Sequence, residues 1–227
     1  SLISITAAVY YGSYIYKILN PIRIILSIVT LSTLGTLISA YLDSIYFVWV
    51  GFGLFFGFAN GIGYGYSLQY SAIALPELKA LMMGLVTASY GLGATIAPIF
   101  FKATILRGGF EYTMISLTII LLITNFVVLL LFRYSNIKFN LEKEIETHEN
   151  NFSISKNFLW LIYGCSIASG LMCFGHAAGI AKSYFISSDY VFIIPILMGF
   201  LNMSGGIFFS SKIKNFSYKK IILLLSF

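Results

Sequence analysis

The sequence predicts an all-α integral membrane protein, a bundle of helices that crosses the bilayer several times. Three observations carry this. From Ser44 to Pro76 there is no Asp, Glu, Lys or Arg, and apolar runs recur at Ile24–Leu42, Ala80–Phe101, Tyr112–Phe132, Asn157–Ala181 and Tyr190–Ser211. Crossing the hydrocarbon takes roughly 20 helical residues. Hydrophobic residues make up 59% of the 227 and charged residues only 10%, too few for the surface of a water-soluble domain. The basic residues also fall in alternate loops. If the loop with Lys17 and Arg23 is cytoplasmic, that side also receives Lys79, Arg133, Lys138, Lys143, Lys156, Lys212, Lys214, Lys219 and Lys220. The other side receives Lys102, Arg107 and Lys182.

Such an asymmetry orients membrane helices. It accounts for the net charge of +6 without nucleic acid as a partner; the partner is the lipid bilayer. Single cysteines at Asn150 and Asn215, with Cys165 and Cys173 replaced, are expected to resist an impermeant thiol reagent in sealed right-side-out cells. Labelling of both from outside would reverse the orientation.

The elements follow in order. Leu2–Tyr16 and Ile221–Phe227 are apolar and read as two cut spans flanking six complete ones, so the chain is expected to be a fragment. A signal peptide is the rival reading of the first segment, but it has neither a basic leader nor a small-residue cleavage site. Tight loops are expected at Asn20–Arg23, Leu42–Ser44, Pro76–Lys79, Arg107–Glu111 and Ser187–Asp189, which makes neighbouring helices antiparallel. The polar segment Arg133–Lys156 reads as a solvated cytoplasmic linker, part helical through Leu141–His148. It divides the chain into a helical bundle at 1–132, a linker at 133–156 and the start of a second bundle at 157–227.

Gly53, Gly57, Gly61 and Gly65 repeat every four residues. On a helix they share a face, and small stripes let helices approach closely in lipid. Gly51 and Gly63 make the same helix easy to bend. Packing is at least as good a reading of the stripe as ligand contact. A phosphate-binding glycine loop is excluded, since no strand–turn–helix surrounds it. Gly91 and Gly93, with Ala94 and Ala97, form a second small face, and Pro98 inside that span should kink it.

Polar side chains within spans are costly unless paired or wet. The candidates are Asn60, Gln69, Asn125, His176 and Asn202, together with Tyr64, Tyr66, Tyr70 and Tyr90. His176 is the one ionisable group well inside a span; it reads equally as an interhelix hydrogen bonder and as a ligand or proton site. Cys165, Ser169, Cys173 and His176 mark one helical face. The two cysteines lie about 12 Å apart along a helix axis, too far to pair with each other, and read as small packing residues. No enzyme is expected: no carboxylate pair lies within the spans, Ser204 is followed by Gly-Gly without an oxyanion motif, and no cluster has metal spacing. No cofactor and no metal are expected.

The stretch Gly61-Ile62-Gly63-Tyr64-Gly65-Tyr66, the loop Pro76-Glu77-Leu78-Lys79, and Gly84 with Tyr90-Gly91-Leu92-Gly93-Ala94 together resemble the oxalate/formate antiporter family of the major facilitator superfamily. That family is related to the monocarboxylate transporters. Gly170-Leu171-Met172, Gly175-His176-Ala177-Ala178 and Ile180-Ala181-Lys182 look like its seventh helix. Asn202 and Gly205 look like the start of its eighth-helix motif. Gly12, Lys17, Pro21 and Arg23 look like the superfamily signature between helices two and three.

The resemblance covers nearly the whole chain and implies a major facilitator-type fragment running roughly from helix two to helix nine of twelve. It implies a multi-pass secondary transporter, a monomer, working by alternating access on a small-molecule substrate, a mono- or dicarboxylate.

 

By the same resemblance, aromatic residues of the fourth and fifth helices line the central cavity. They fall on Tyr64 and Tyr90, with His176 and Asn202 as further substrate contacts. Four positions depart from the family pattern. Gly206 stands where the eighth helix carries Arg, Tyr16 where the signature carries an acid, Ser211-Lys212 where an acid follows helix eight, and Gly179 where Pro follows His-Ala-Ala. A transporter of a neutral solute therefore stays open beside the carboxylate reading, as does a degenerate, non-transporting protein of the same fold. The location implied is a cell membrane, either a bacterial inner membrane or a plasma membrane.

Overall fold

The structure, a computed structural model, describes residues 2–42, 44–135, 172–173, 175–177, 179–184 and 188–212. Helix α1 is Leu2–Ile18 and α2 is Pro21–Tyr41. Helix α3 runs through Ile45–Ala74, α4 through Lys79–Ser135 and α5 through Ile193–Lys212. Among the described residues there is no strand.

The boundaries follow from local chemistry. Pro21 opens α2 at its first turn, where the missing N–H costs nothing and the fixed φ suits a helix. Leu75 ends α3 outside the helical region, at φ −138° and ψ 78°, because a residue before proline is pushed out of that region. Pro76–Leu78 then forms one 3₁₀ turn that leads into α4.

Two features differ from the expected layout. The five-residue loop at Arg107–Glu111 is reduced to a single non-helical residue, Gly109, with φ 73° and ψ −162°. Only glycine adopts that conformation at no steric cost, so one residue interrupts α4 where a loop was expected. The 57 residues of α4 thus supply two spans, one on each side of Gly109. Pro98 keeps helical dihedrals; its missing N–H opens one hydrogen bond without ending the helix. The second difference lies in α3, where Trp49–Phe56 is a π-helix. The expected span Asn157–Ala181 falls mostly outside the described residues, as do the linker 133–156 beyond Ser135 and the basic loop after Lys212.

The chain forms two compact units. One contains Ser1–Tyr70 and Phe101–His148, the other Ser71–Phe100 and Glu149–Phe227. In the first unit Ala8, Tyr16, Ile24, Ile62 and Tyr66 form a buried apolar cluster. Beside it, hydroxyl groups are buried. Thr36 and Thr113 are fully covered, and the Thr118 hydroxyl donates to Thr36 Oγ1 at 2.7 Å. Outside, Ile123, Phe126 and Leu131 are 59–64% exposed. Small and hydroxyl side chains inside with large apolar ones outside is the arrangement of a lipid-facing bundle, where helices gain little by hiding leucine from its own kind of solvent.

Candidate functional site

In the first unit the glycine stripe of α3 lies against α1. A Cβ on Gly61 would stand 2.6 Å from the Ile5 carbonyl oxygen and 2.7 Å from the Ala8 Cβ. One on Gly65 would stand 2.7 Å from the Tyr16 hydroxyl. Gly57 is buried, and the Gly53 carbonyl accepts a hydrogen bond from the Ser4 hydroxyl at 2.8 Å. Residue numbers rise together along both helices, so α1 and α3 are parallel. The Tyr16 hydroxyl donates to the Ile62 carbonyl at 2.8 Å, and its ring meets the Tyr66 ring edge-on at 5.4 Å. At the position where the family carries an acid, this chain thus has a phenol tied to the neighbouring helix.

The π-helical part of α3 packs against α2. A Cβ on Gly35 would stand 2.5 Å from the Gly51 carbonyl oxygen, and one on Gly51 would collide with the Gly35 carbonyl oxygen and the Ser39 hydroxyl. The two glycines face each other, and neither backbone leaves room for a side chain on the other.

In the second unit α4 before Gly109 packs against α5. A Cβ on Gly84 would collide with the Ser210 side chain, and one on Gly91 would stand 2.9 Å from the Met203 nitrogen. One on Gly199 would stand 2.6 Å from Thr95 Oγ1 and 2.7 Å from the Thr95 nitrogen. Numbers rise on one helix as they fall on the other, so the seam is antiparallel. Gly93 lies off it, with no described atom within 4 Å of a Cβ there. Two residues past Gly91 is about 200° around the helix. Pro98, half-buried, lies beyond the last of these contacts.

The polar candidates are distributed between the units. Tyr64 is half-buried on α3, on the flank of the glycine stripe. Tyr90, Asn202 and His176 are in the second unit and exposed. Tyr90 precedes Gly91 and stands about 100° around α4 from it. Asn202 precedes Met203 of the seam. His176 lines a cavity of about 630 Å³ together with Met172, Cys173, Gly179, Ile180 and Ser183. Cys165 and Ser169, placed on the same face by their spacing, lie outside the described residues. The spacing had singled out Cys173 and His176 but not Met172 or Ser183. A thioether and a serine at the end of the helix carry little polar signal, although both share the helical face of His176. Among the described residues, no three His, Cys, Asp or Glu side chains gather as a metal site would require.

Among the described residues four helices are long and apolar enough to cross a membrane, and the family model described as Major Facilitator Superfamily matches residues 1–227. No curated protein and no solved structure matches the chain. The superfamily consists of multi-pass membrane transporters rather than enzymes, in keeping with charge-free spans, buried hydroxyls and an apolar exterior. Matched over its whole length, the chain belongs to the Major Facilitator Superfamily.

Proposed function

We propose that the chain is part of a secondary active transporter that moves a small organic anion, a mono- or dicarboxylate, by alternating access, in the oxalate/formate antiporter-like branch. The observation that carries this reading is the chemistry of the spans. None of the six apolar runs contains an Asp or Glu, and their polar groups are phenols, amides, hydroxyls and one imidazole. Such a lining offers donors to an anion and no carboxylate to repel it. Tyr64 and Tyr90 are the principal contacts, His176 and Asn202 the secondary ones. The glycines Gly53, Gly57, Gly61, Gly65 and Gly91 let the surrounding helices pack closely.

One observation favours a neutral solute as the second reading. A Cβ on Gly206 would lie 3.5 Å from the Gly84 carbonyl oxygen and 3.6 Å from the Ala88 nitrogen. The position faces the backbone of α4, so the cationic side chain of the family pattern has no counterpart here. Neutral donors then carry more of the binding.

The test is substrate counterflow by the full-length protein in proteoliposomes, with oxalate, formate, lactate and uncharged analogues. Removing one phenol hydroxyl should cost about 0.5–1.5 kcal/mol, or up to about 3 kcal/mol against a charged group. Tyr64→Phe and Tyr90→Phe should therefore weaken apparent affinity several-fold to about a hundredfold with expression intact. Unchanged affinity in both would remove the hydroxyls from the site. Counterflow of only the uncharged analogues would decide for the neutral solute, and none with any solute would leave a non-transporting protein.

A further inference from the structure

The His176 cavity holds a thioether, a thiol and an imidazole, three donors that a soft metal ion accepts. Met172, Cys173 and His176 lie at i, i+1 and i+4, and all three are exposed to the same cavity of about 630 Å³. At 3.6 residues per turn, the six described lining residues occupy about 120° of helix circumference, with His176 between Met172 and Cys173. Side chains three and four apart on a helix have Cβ atoms about 5–6 Å apart, a gap that one ion bound to both can bridge. The fourth polar group of the wall, the Ser183 hydroxyl, is engaged with the Ile180 carbonyl at 2.7 Å.

We infer that this cavity is a binding site for a soft monovalent cation of the Cu(I) class, held by Cys173 Sγ, an imidazole nitrogen of His176 and Met172 Sδ. Thiolate and thioether donors select Cu(I) over hard ions, which need several oxygen ligands; among the described residues no carboxylate lines this wall. Binding breaks the Cys173 S–H bond, forms an S–metal bond and releases one proton to solvent. A monovalent ion in exchange for a proton leaves the site neutral, whereas a divalent ion would leave a net positive charge inside the membrane, where charge is costly. The inference rests on this cavity and not on the organic-anion reading, and binding is measured without transport.

The experiment uses the purified full-length protein in detergent, with Cu(I) partitioned against a chromophoric chelator and the bound metal examined by X-ray absorption. One Cu(I) per chain with mixed nitrogen and sulfur ligation is expected. Affinity should fall at least tenfold in Cys173→Ser and His176→Gln and several-fold in Met172→Leu, and stay unchanged in Cys165→Ser. Size-exclusion profiles establish that the variants are folded. Binding that follows Cys165, sulfur-only ligation in the unsubstituted protein, or a His176→Gln variant with full affinity would each overturn the assignment. If the variants do not fold, the ligation of the unsubstituted protein decides: nitrogen with sulfur supports the site and any other result overturns it.

Discussion

Replacing Gly61 by Leu is expected to remove most of the folded protein from the membrane fraction. The new Cβ alone would stand 2.6 Å from the Ile5 carbonyl oxygen and 3.0 Å from the Ile5 Cα, against about 3.5–4.0 Å for carbon atoms in good contact. Both atoms belong to the backbone of α1, so no rotamer change relieves the clash and the helices must separate. Separation would break the bond from the Tyr16 hydroxyl to the Ile62 carbonyl and open the apolar cluster of Tyr16, Ile62 and Tyr66. Overpacking that side chains can absorb costs about 1–3 kcal/mol. Gly61→Ala adds that same Cβ against backbone and should cost at least this much, and Gly61→Leu more. Leu26→Ala, at a position 46% exposed, should be mild. Monodisperse yield after extraction and the melting temperature measure the series; a normal yield and melting temperature for Gly61→Leu would mean that α1 and α3 are not this close.

Gly199→Leu should have a comparable effect on the second unit. Its Cβ would meet Thr95 Oγ1 at 2.6 Å, the Thr95 nitrogen at 2.7 Å and the Ala94 carbonyl carbon at 3.0 Å. Turning the Thr95 side chain gives no relief, because the backbone is equally near and the hydroxyl is bonded to the Gly91 carbonyl at 3.0 Å. The seam between α4 and α5 must open. Gly205→Leu is the control: it lies on the same helix with no described atom within 4 Å of its Cβ. Monodisperse yield and melting temperature should fall in Gly199→Leu and hold in Gly205→Leu. Equal values in both variants would show that the seam tolerates the larger residue.

Much of the fold was legible in the sequence because hydropathy reports the environment of a helix. The spans Ile24–Leu42 and Ser44–Pro76 lie close to α2 and α3. Hydropathy does not report which helix a face meets. The stripe at Gly61 and Gly65 signals a close neighbour, but only the fold shows it to be α1. The break at Gly109 was masked by the charged residues around it, Arg107 and Glu111, which read as a longer loop although the turn needs one residue. The π-helix at Trp49–Phe56 was announced only by two glycines, which fit a bend equally well. Of the candidate site, Cys173 and His176 could be placed together by spacing. Gly206 could be recognised as a departure from a pattern, but its contact with the α4 backbone depends on a helix more than a hundred residues away in the chain.

The antiparallel seam has a consequence for inheritance. Gly84 faces Ser210, Gly91 faces Met203 and Gly199 faces Thr95, so each level of the seam pairs a glycine with a larger residue. At the Gly84 level the volume is a property of two positions held jointly, because Gly84 meets the Ser210 side chain, whereas Gly91 and Gly199 meet backbone that no substitution removes. A serine or alanine at 84 is better accommodated if 210 becomes glycine, whereas either change alone crowds or hollows the seam. Descendants of this chain should therefore keep glycine at 91 and 199, and vary positions 84 and 210 as a pair.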